Sequence, residues 1–378
     1  MKHIERNNDV VLNQNDLEDL HTFTQFPVYM GCTNNDPSED ILFDMSWKIS
    51  KSSGMIQLNP LLPLDIVYNA EHGSGTTGKL WDEHHEMFCN FVQKYNPKSI
   101  LEIGGLHGYL AKKYLDQNPN TNWTIIEPNP IVDPSIPVKV ITGFFDNDFK
   151  SDEKYDAVIH SHVLEHVYNP DEFINHKSSF MEENDLLLFS VPNMEVMLKN
   201  KYTNCINFEH TIFISEPYIE YFLNKHKFEI IGKEYFKDNH SIFYCAKKTQ
   251  TNIPSNLPND LYNKYKVMFT DYINKYVEDV QNINKIINNT TLPVYVFGAH
   301  VFTQYLINFG LDVTKIINLL DNDVKKENKR LYGTNLISKL PKVLKDVPEA
   351  LVVLRAGVYN EEVKQDILSN INPNITFI

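Results

Sequence analysis

Between residues 98 and 191 the chain alternates short apolar runs with segments of helical spacing. This alternation constrains the fold more than any other feature. Residues 99–103, 123–127, 137–142, 155–160 and 185–191 each read as a strand. The stretches between them are long enough for crossover helices, as at 109–115. Strands separated by helices pair in parallel, because a tight turn cannot bring the chain back alongside itself in the same direction. The expected fold is α/β, a doubly wound and mostly parallel sheet. Two further strands, 228–236 and 241–246, could close its edge.

The flanks read differently. Residues 1 to about 60 look irregular, with turns at 31–38 and 50–54 and a short strand at 55–58. This is a small β-rich module with little core of its own. A helix is expected over 81–95, where Trp81, Phe88, Phe91 and Val92 share a face. Residues 250–259 are polar and carry two prolines, which marks a boundary. A long amphipathic helix follows over 261–287. Strand and helix then alternate again at 293–298, 316–321, 350–355 and 376–378, as in a Rossmann-like unit. Three parts are expected: 1–80, 81–250 and 251–378.

Charge narrows the partners. The chain has 49 acidic and 35 basic residues, a net charge of -14. Such a surface disfavours nucleic acid and anionic membranes, since both are bound by neutralising phosphates. No apolar run is long enough to span a bilayer. The polar opening Met1-Lys2-His3-Ile4-Glu5-Arg6 lacks a secretion-type apolar core. A cytoplasmic location is therefore expected. Cys32, Cys89, Cys205 and Cys245 are scattered, without a CxxC pair, and read as reduced thiols.

The strongest local motif is Glu102-Ile103-Gly104-Gly105-Leu106-His107-Gly108, between a strand and a helix. Glycines let the backbone turn tightly and approach a ligand, and the helix start offers free amides. Glu127 ends the next strand, where an acid can accept both hydroxyls of a ribose. A nucleoside ligand is expected. The turn is not the dinucleotide pattern, because bulky Leu106 stands where that pattern needs glycine.

Leu101-Glu102-Ile103-Gly104-Gly105 resembles the first motif of class I S-adenosylmethionine-dependent methyltransferases. The resemblance implies S-adenosyl-L-methionine as cofactor. Glu102, Gly104, Gly105 and Gly108 would lie by its methionine portion, and Glu127 would hold the ribose. Asp146 would contact adenine and Phe145 would pack on the ring. Ser161 and His162 would also contact the cofactor; they stand in His160-Ser161-His162-Val163-Leu164-Glu165-His166-Val167, which matches a stretch common in these enzymes. Tyr68, before the first helix of this part, is an expected cofactor contact. Ser74 or Thr76 can cap that helix, or the same amides can receive the cofactor carboxylate.

A narrower resemblance spans nearly the whole chain. It is to three-part methyltransferases acting on nucleotide-linked sugars, whose N-terminal module binds zinc. Gly54–Pro60, Phe208–Ser215 and the pair Val296–His300 with Leu320–Asp323 carry it. It implies a nucleotide-sugar substrate, a role in surface polysaccharide or metabolite decoration, and a base at His210 assisted by Glu209, with His166 at the pocket rim. Ser50 and Ser53 stand where the module has cysteines, and Cys32 lacks a companion, with Tyr29 in that place. The zinc is therefore expected to be lost. His160, His162 and His166 invite a metal reading, but no carboxylates cluster with them in sequence, so no metal is expected. Asn207 replaces a tyrosine of the carbon-methylating relatives. Oxygen is thus the favoured acceptor, with a keto-sugar carbon as the alternative. Arg355 and Tyr359, at a strand's carboxyl end, are the expected nucleotide contacts; Arg355 could equally pair with Glu361 or Asp321. His300 blocks close phosphate approach in the last unit, which argues against a nicotinamide-dependent oxidoreductase. A non-catalytic nucleotide-sugar binding protein and a homodimer stay open.

Overall fold

The computed structural model describes residues 2–68 and 78–378. Its largest sheet has seven strands. Their spatial order is Phe228–Phe236, Ser241–Lys248, Leu186–Pro192, Ala157–Ser161, Ser99–Ile103, Asn122–Glu127 and Lys139–Thr142. The last five pair in parallel. The first two join antiparallel and close one edge. The fold is α/β with a mostly parallel central sheet, as the alternating pattern requires. Ile100, Leu101, Val158, Ile159, Leu187 and Leu188 are fully buried. Burial on both faces is what makes these strands continuous apolar runs.

Strand order sets where a ligand can lie. From Ser99–Ile103 the chain winds outward through Asn122–Glu127 to Lys139–Thr142. It then returns to the other side at Ala157–Ser161. The reversal opens a crevice at the carboxyl ends of Ser99–Ile103 and Ala157–Ser161, the place where open α/β sheets bind ligands.

The N-terminal stretch is β-rich with little core of its own, as expected, but two of its strands are longer than the turn-rich sequence suggested. Leu17–Pro27 and Leu42–Ser50 pair antiparallel over most of their lengths, and Ile56–Leu58 adds a third strand. Phe23, Phe26, Met45, Trp47 and Ile49 are buried by this sheet. They belong to the same apolar cluster as Leu101, Val158 and Phe189 of the central sheet. The N-terminal sheet therefore has no separate core.

A third sheet is wholly parallel, in the order Ser338–Lys339, Ile316–Leu320, Val294–Phe297, Ala350–Leu354 and Ile375–Phe377. The helix Leu261–Asn289 joins it to the rest. Tyr265, Phe269 and Tyr272 pack with the first two sheets, whereas Val280, Ile283 and Ile287 pack with the third. A short ribbon, Cys32–Thr33 against Arg330–Leu331, adds a second tie. No helix among the described residues is long and apolar enough to cross a membrane.

Candidate functional site

The glycine turn is closed to larger side chains. Gly104 has φ +80, and a Cβ there would stand 2.8 Å from Val163 Cγ2. A Cβ on Gly105 would meet Ile125 Cγ2 at 2.8 Å and Glu102 Cδ at 3.0 Å. Gly108 ends the turn as the residue before the helix Tyr109–Gln117. Leu106 lies at φ +22, at the edge of the left-handed region, so this non-glycine residue carries backbone strain.

Two carboxylates flank the turn. Glu127 is 8% exposed. Its oxygens accept from the amides of Asn129 at 3.0 Å and Leu106 at 3.4 Å. Glu102 lies beneath the turn, 5% exposed, and accepts from the Trp123 indole at 2.8 Å. Burial pushes its carboxyl up to about 7, against the opposing effect of the indole bond.

The second wall is the turn after Ala157–Ser161. His162 adopts φ +53, and its amide donates to Ser190 O. The turn Leu164–His166 then brings Glu165 inward, with no exposure, and leaves His166 partly exposed. His162 Nδ1 stands 3.2 Å from Glu165 Oε1 and His166 Nε2 stands 3.8 Å from the same oxygen. Desolvation raises the Glu165 carboxyl and lowers both imidazoles.

The third wall comes from Asn207–Thr211. Asn207 Oδ1 accepts from the amides of Glu209 and His210, both at 2.8 Å. This folds the segment so that His210 meets His166, with ring centroids 5.0 Å apart at 84°. His210 Nδ1 lies 3.2 Å from Cys205 O. Glu209 Oε2 is 3.9 Å from His166 Nδ1, and the Tyr68 hydroxyl is 3.1 Å from that same nitrogen. The segment is held in place by its neighbours. Thr211 N donates to Glu165 O at 3.0 Å, and Leu58 N donates to Thr211 O at 2.9 Å. Arg6 donates to the carbonyls of Leu58 at 2.8 Å and Tyr168 at 3.0 Å, and also to that of Thr211.

Several expected contacts take other roles. Phe145 was assigned to an adenine ring, but it is 7% exposed and packs against Phe149, Phe173, His176 and Phe180. Phe144 beside it is 47% exposed. The strand end turns Phe145 into the helix layer and Phe144 out. Asp146 is exposed and caps its own turn through Asp148 N. Asn207, an expected substrate contact, holds the backbone of the Glu209–His210 segment through its side-chain oxygen. His160 lies beneath the site, fully buried, 2.9 Å from Lys177 Nζ. Ser74 and Thr76 lie outside the described residues.

The remaining assignments sit apart from this crevice. Arg355 Nη1 donates to Leu354 O at 2.9 Å. Tyr359 is 44% exposed, close enough to Lys237 of the central sheet's edge hairpin to interact electrostatically. Both follow the third sheet's strand Ala350–Leu354, at its carboxyl end. Ser50 and Ser53 donate to Asp16 at 2.9 Å and Asp9 at 2.8 Å. Cys32 lies elsewhere, its sulfur 3.6 Å from Ala299 O and its thiol pushed up to about 11 by burial. Glu165 and Arg6 were not singled out from sequence. The only sequence signal for either was the placement of Glu165 beside His166.

A family model described as a methyltransferase domain matches residues 79–233. Over these residues the chain matches a methyltransferase domain, and its mostly parallel sheet is consistent with the S-adenosylmethionine-dependent class I fold. A probable (S)-tetrahydroprotoberberine N-methyltransferase from Papaver bracteatum is 26% identical over 129 residues, 31% of this chain and 35% of the relative. The chain therefore spans about a third of the length of that curated relative. Among solved structures, a magnesium protoporphyrin IX methyltransferase from Synechocystis, with bound S-adenosylhomocysteine, is 15% identical. The match covers 47% of this chain and 90% of that one, with a TM-score of 0.36. An N-methyltransferase from Bradyrhizobium japonicum, also with S-adenosylhomocysteine, is 12% identical over 46% of this chain and 89% of that one, TM-score 0.35. An O-methyltransferase family protein from Burkholderia thailandensis is 12% identical over 44% and 55%, TM-score 0.37.

Proposed function

We propose that this protein transfers the methyl group of S-adenosylmethionine to a hydroxyl of a nucleotide-activated sugar. The observation that carries the reading is convergence. The glycine turn packs on Val163 of the loop that carries His166, Glu127 accepts from the turn's Leu106 amide, and His166 meets His210, all beside the strands at the sheet's switch point. The division into a lid module (1–80), a methyltransferase part (81–250) and a nucleotide clamp (251–378) belongs to the same proposal.

The residues present fit the cofactor. At Gly104 and Gly105 a Cβ would meet Val163, Ile125 and Glu102, so only glycine lets the turn pack this tightly against the strands, and its bare backbone would face the cofactor. Glu127 would take the ribose hydroxyls, and Ser161 and His162 would line the opposite side. When bound, the cofactor supplies a methyl group made electrophilic by its sulfonium. The protein's own task is to position the acceptor in line and remove its proton. His210 is the base. Its Nδ1 is committed to Cys205 O, so Nε2 carries the free lone pair. Glu165 and Glu209, on either side of His166, would stabilise the positive charge that a proton brings. Arg355 and Tyr359 would hold the nucleotide part from the third sheet.

Carbon methylation of a keto-sugar is the second reading. One observation favours it: Tyr68 supplies a hydroxyl beside His166, which could steady an enolate oxygen.

Calorimetric titration with S-adenosylhomocysteine tests the cofactor site. Binding should weaken at least about tenfold in Glu127→Ala, a loss of roughly 1.4 kcal/mol. Unchanged affinity would remove Glu127 from the site. Mass spectrometry of nucleotide sugars incubated with protein and cofactor should then show a methyl gain. Gain only on keto-sugars would select the second reading.

A further inference from the structure

Glu165, His166 and His210 each offer one ligand-type atom, and the three atoms lie within 4.8 Å of one another. Two observations mark this group out. Glu165 has no exposure, and neither carboxylate oxygen has a hydrogen-bond partner. Its nearest neighbours are imidazoles, His162 Nδ1 at 3.2 Å and His166 Nε2 at 3.8 Å. A buried carboxylate without donors is costly, and a cation would satisfy it. Each imidazole also has one nitrogen already engaged. His210 Nδ1 faces Cys205 O at 3.2 Å, and His166 Nδ1 faces the Tyr68 hydroxyl at 3.1 Å. Outer partners of this kind orient metal-binding histidines and leave the other nitrogen for the ion.

We propose that Glu165, His166 and His210 bind a divalent transition-metal ion of the zinc class, and that this binding excludes proton removal by His210. Two imidazoles and one carboxylate suit zinc or cobalt, whereas magnesium and calcium prefer oxygen alone. Metal–ligand bonds of about 2.0–2.2 Å require the three atoms to draw together, through side-chain rotation. The binding half stands on this geometry alone. The exclusion half rests on the base role given to His210 above. With Nδ1 committed, His210 has one lone pair; a lone pair on an ion cannot accept a proton. Zinc would thus act as a reversible inhibitor.

The test is titration of tag-free full-length protein with Co2+, followed by its visible d–d absorption, with Zn2+ as competitor. The expected result is a saturable band that Zn2+ abolishes. In Glu165→Gln and His210→Ala the apparent affinity should fall at least about tenfold, with the circular dichroism spectrum unchanged. A variant that loses the native spectrum is replaced by His166→Asn, judged by the same criterion. No band in the wild type overturns the site. So does a band that persists in the variants, which would point to the neighbouring rings of His84, His162 and His240. Methyl transfer should fall in step with zinc occupancy; bound zinc that leaves the rate unchanged overturns the exclusion. Calorimetry with S-adenosylhomocysteine on the same preparation separates the outcomes. If it does not bind, the proposed function fails while the cobalt result stands.

Discussion

Glu102 illustrates how a single side chain couples the glycine turn to pH. Its carboxyl is buried and pushed up to about 7 from an ordinary 4.5. The folded protein therefore holds this proton more tightly than the unfolded chain. The stability it contributes is fully present below pH 4.5 and is lost as pH rises to 7. The full shift corresponds to roughly 3 kcal/mol at 1.36 kcal/mol per unit. Glu102→Gln removes this titration and keeps an oxygen for Trp123. Its stability relative to wild type should rise by about that amount between pH 4.5 and 8, measured by urea unfolding at several pH values. A constant difference would mean that Glu102 is ionised throughout. Asn207 is the second case. Its one oxygen fixes two successive amides before His210. Asn207→Ala should lower kcat by up to about a hundredfold, because misplacing a base by 1 Å has that scale of effect. Asn207→Asp, which keeps the acceptor, should restore most of it. Equal losses in both variants would show that the amide nitrogen of Asn207 matters instead.

At the level of elements, legibility followed burial. The inner parallel strands were plain because both faces are buried and most of their residues are apolar, whereas the edge strand Lys139–Thr142 is largely exposed. The two long N-terminal strands were missed. Phe43, Met45, Trp47 and Ile49 do alternate with Asp44, Ser46 and Lys48, but the surrounding turn residues masked a pattern of period two. The site was partly legible. The glycine turn is a local motif, so the spacing to Glu127 could be read. His166 and His210 are brought together by backbone bonds between Thr211, Leu58 and Glu165, which no local pattern encodes. Glu165 read as one more charge, since its burial depends on that distant segment. Arg6 is the same kind of residue. It bridges the carbonyls of Leu58, Tyr168 and Thr211, and desolvation brings its guanidinium down to about 9. Arg6→Met should remove the guanidinium donor from three carbonyls, of which Thr211 O keeps the Leu58 amide, and cost about 3 kcal/mol, read from thermal unfolding. The loss should fall more on methyl transfer than on S-adenosylhomocysteine affinity, because the stitched segment carries His210 and not the glycine turn. A parallel fall in both would assign Arg6 to general packing.

Across the whole molecule, a buried ion pair ties the segment before Leu42–Ser50 to the ribbon strand Arg330–Leu331 beside the third sheet. Arg330 meets Asp40 through two parallel bonds of 2.6 and 2.7 Å, with side chains only 8% and 5% exposed. Arg330 also donates to Asn35 O at 2.7 Å, and Gly333 N donates to Asp40 at 2.9 Å. A buried pair gains little over apolar neighbours, but losing one partner leaves a buried charge unpaired, at about 3–5 kcal/mol. Arg330→Met should therefore destabilise strongly, and Asp40→Leu with Arg330→Met should recover much of the loss. The functional consequence follows from position. Arg355 and Tyr359 follow the third sheet's strand Ala350–Leu354, with Tyr359 near Lys237 of the central sheet's edge hairpin, and the glycine turn follows the central strand Ser99–Ile103. Loosening this tie should raise KM for the acceptor several-fold while S-adenosylhomocysteine affinity stays constant. Should both constants stay constant in the folded double variant, the third sheet would have no part in holding the acceptor, and the nucleotide contact would have to be sought on the N-terminal sheet instead.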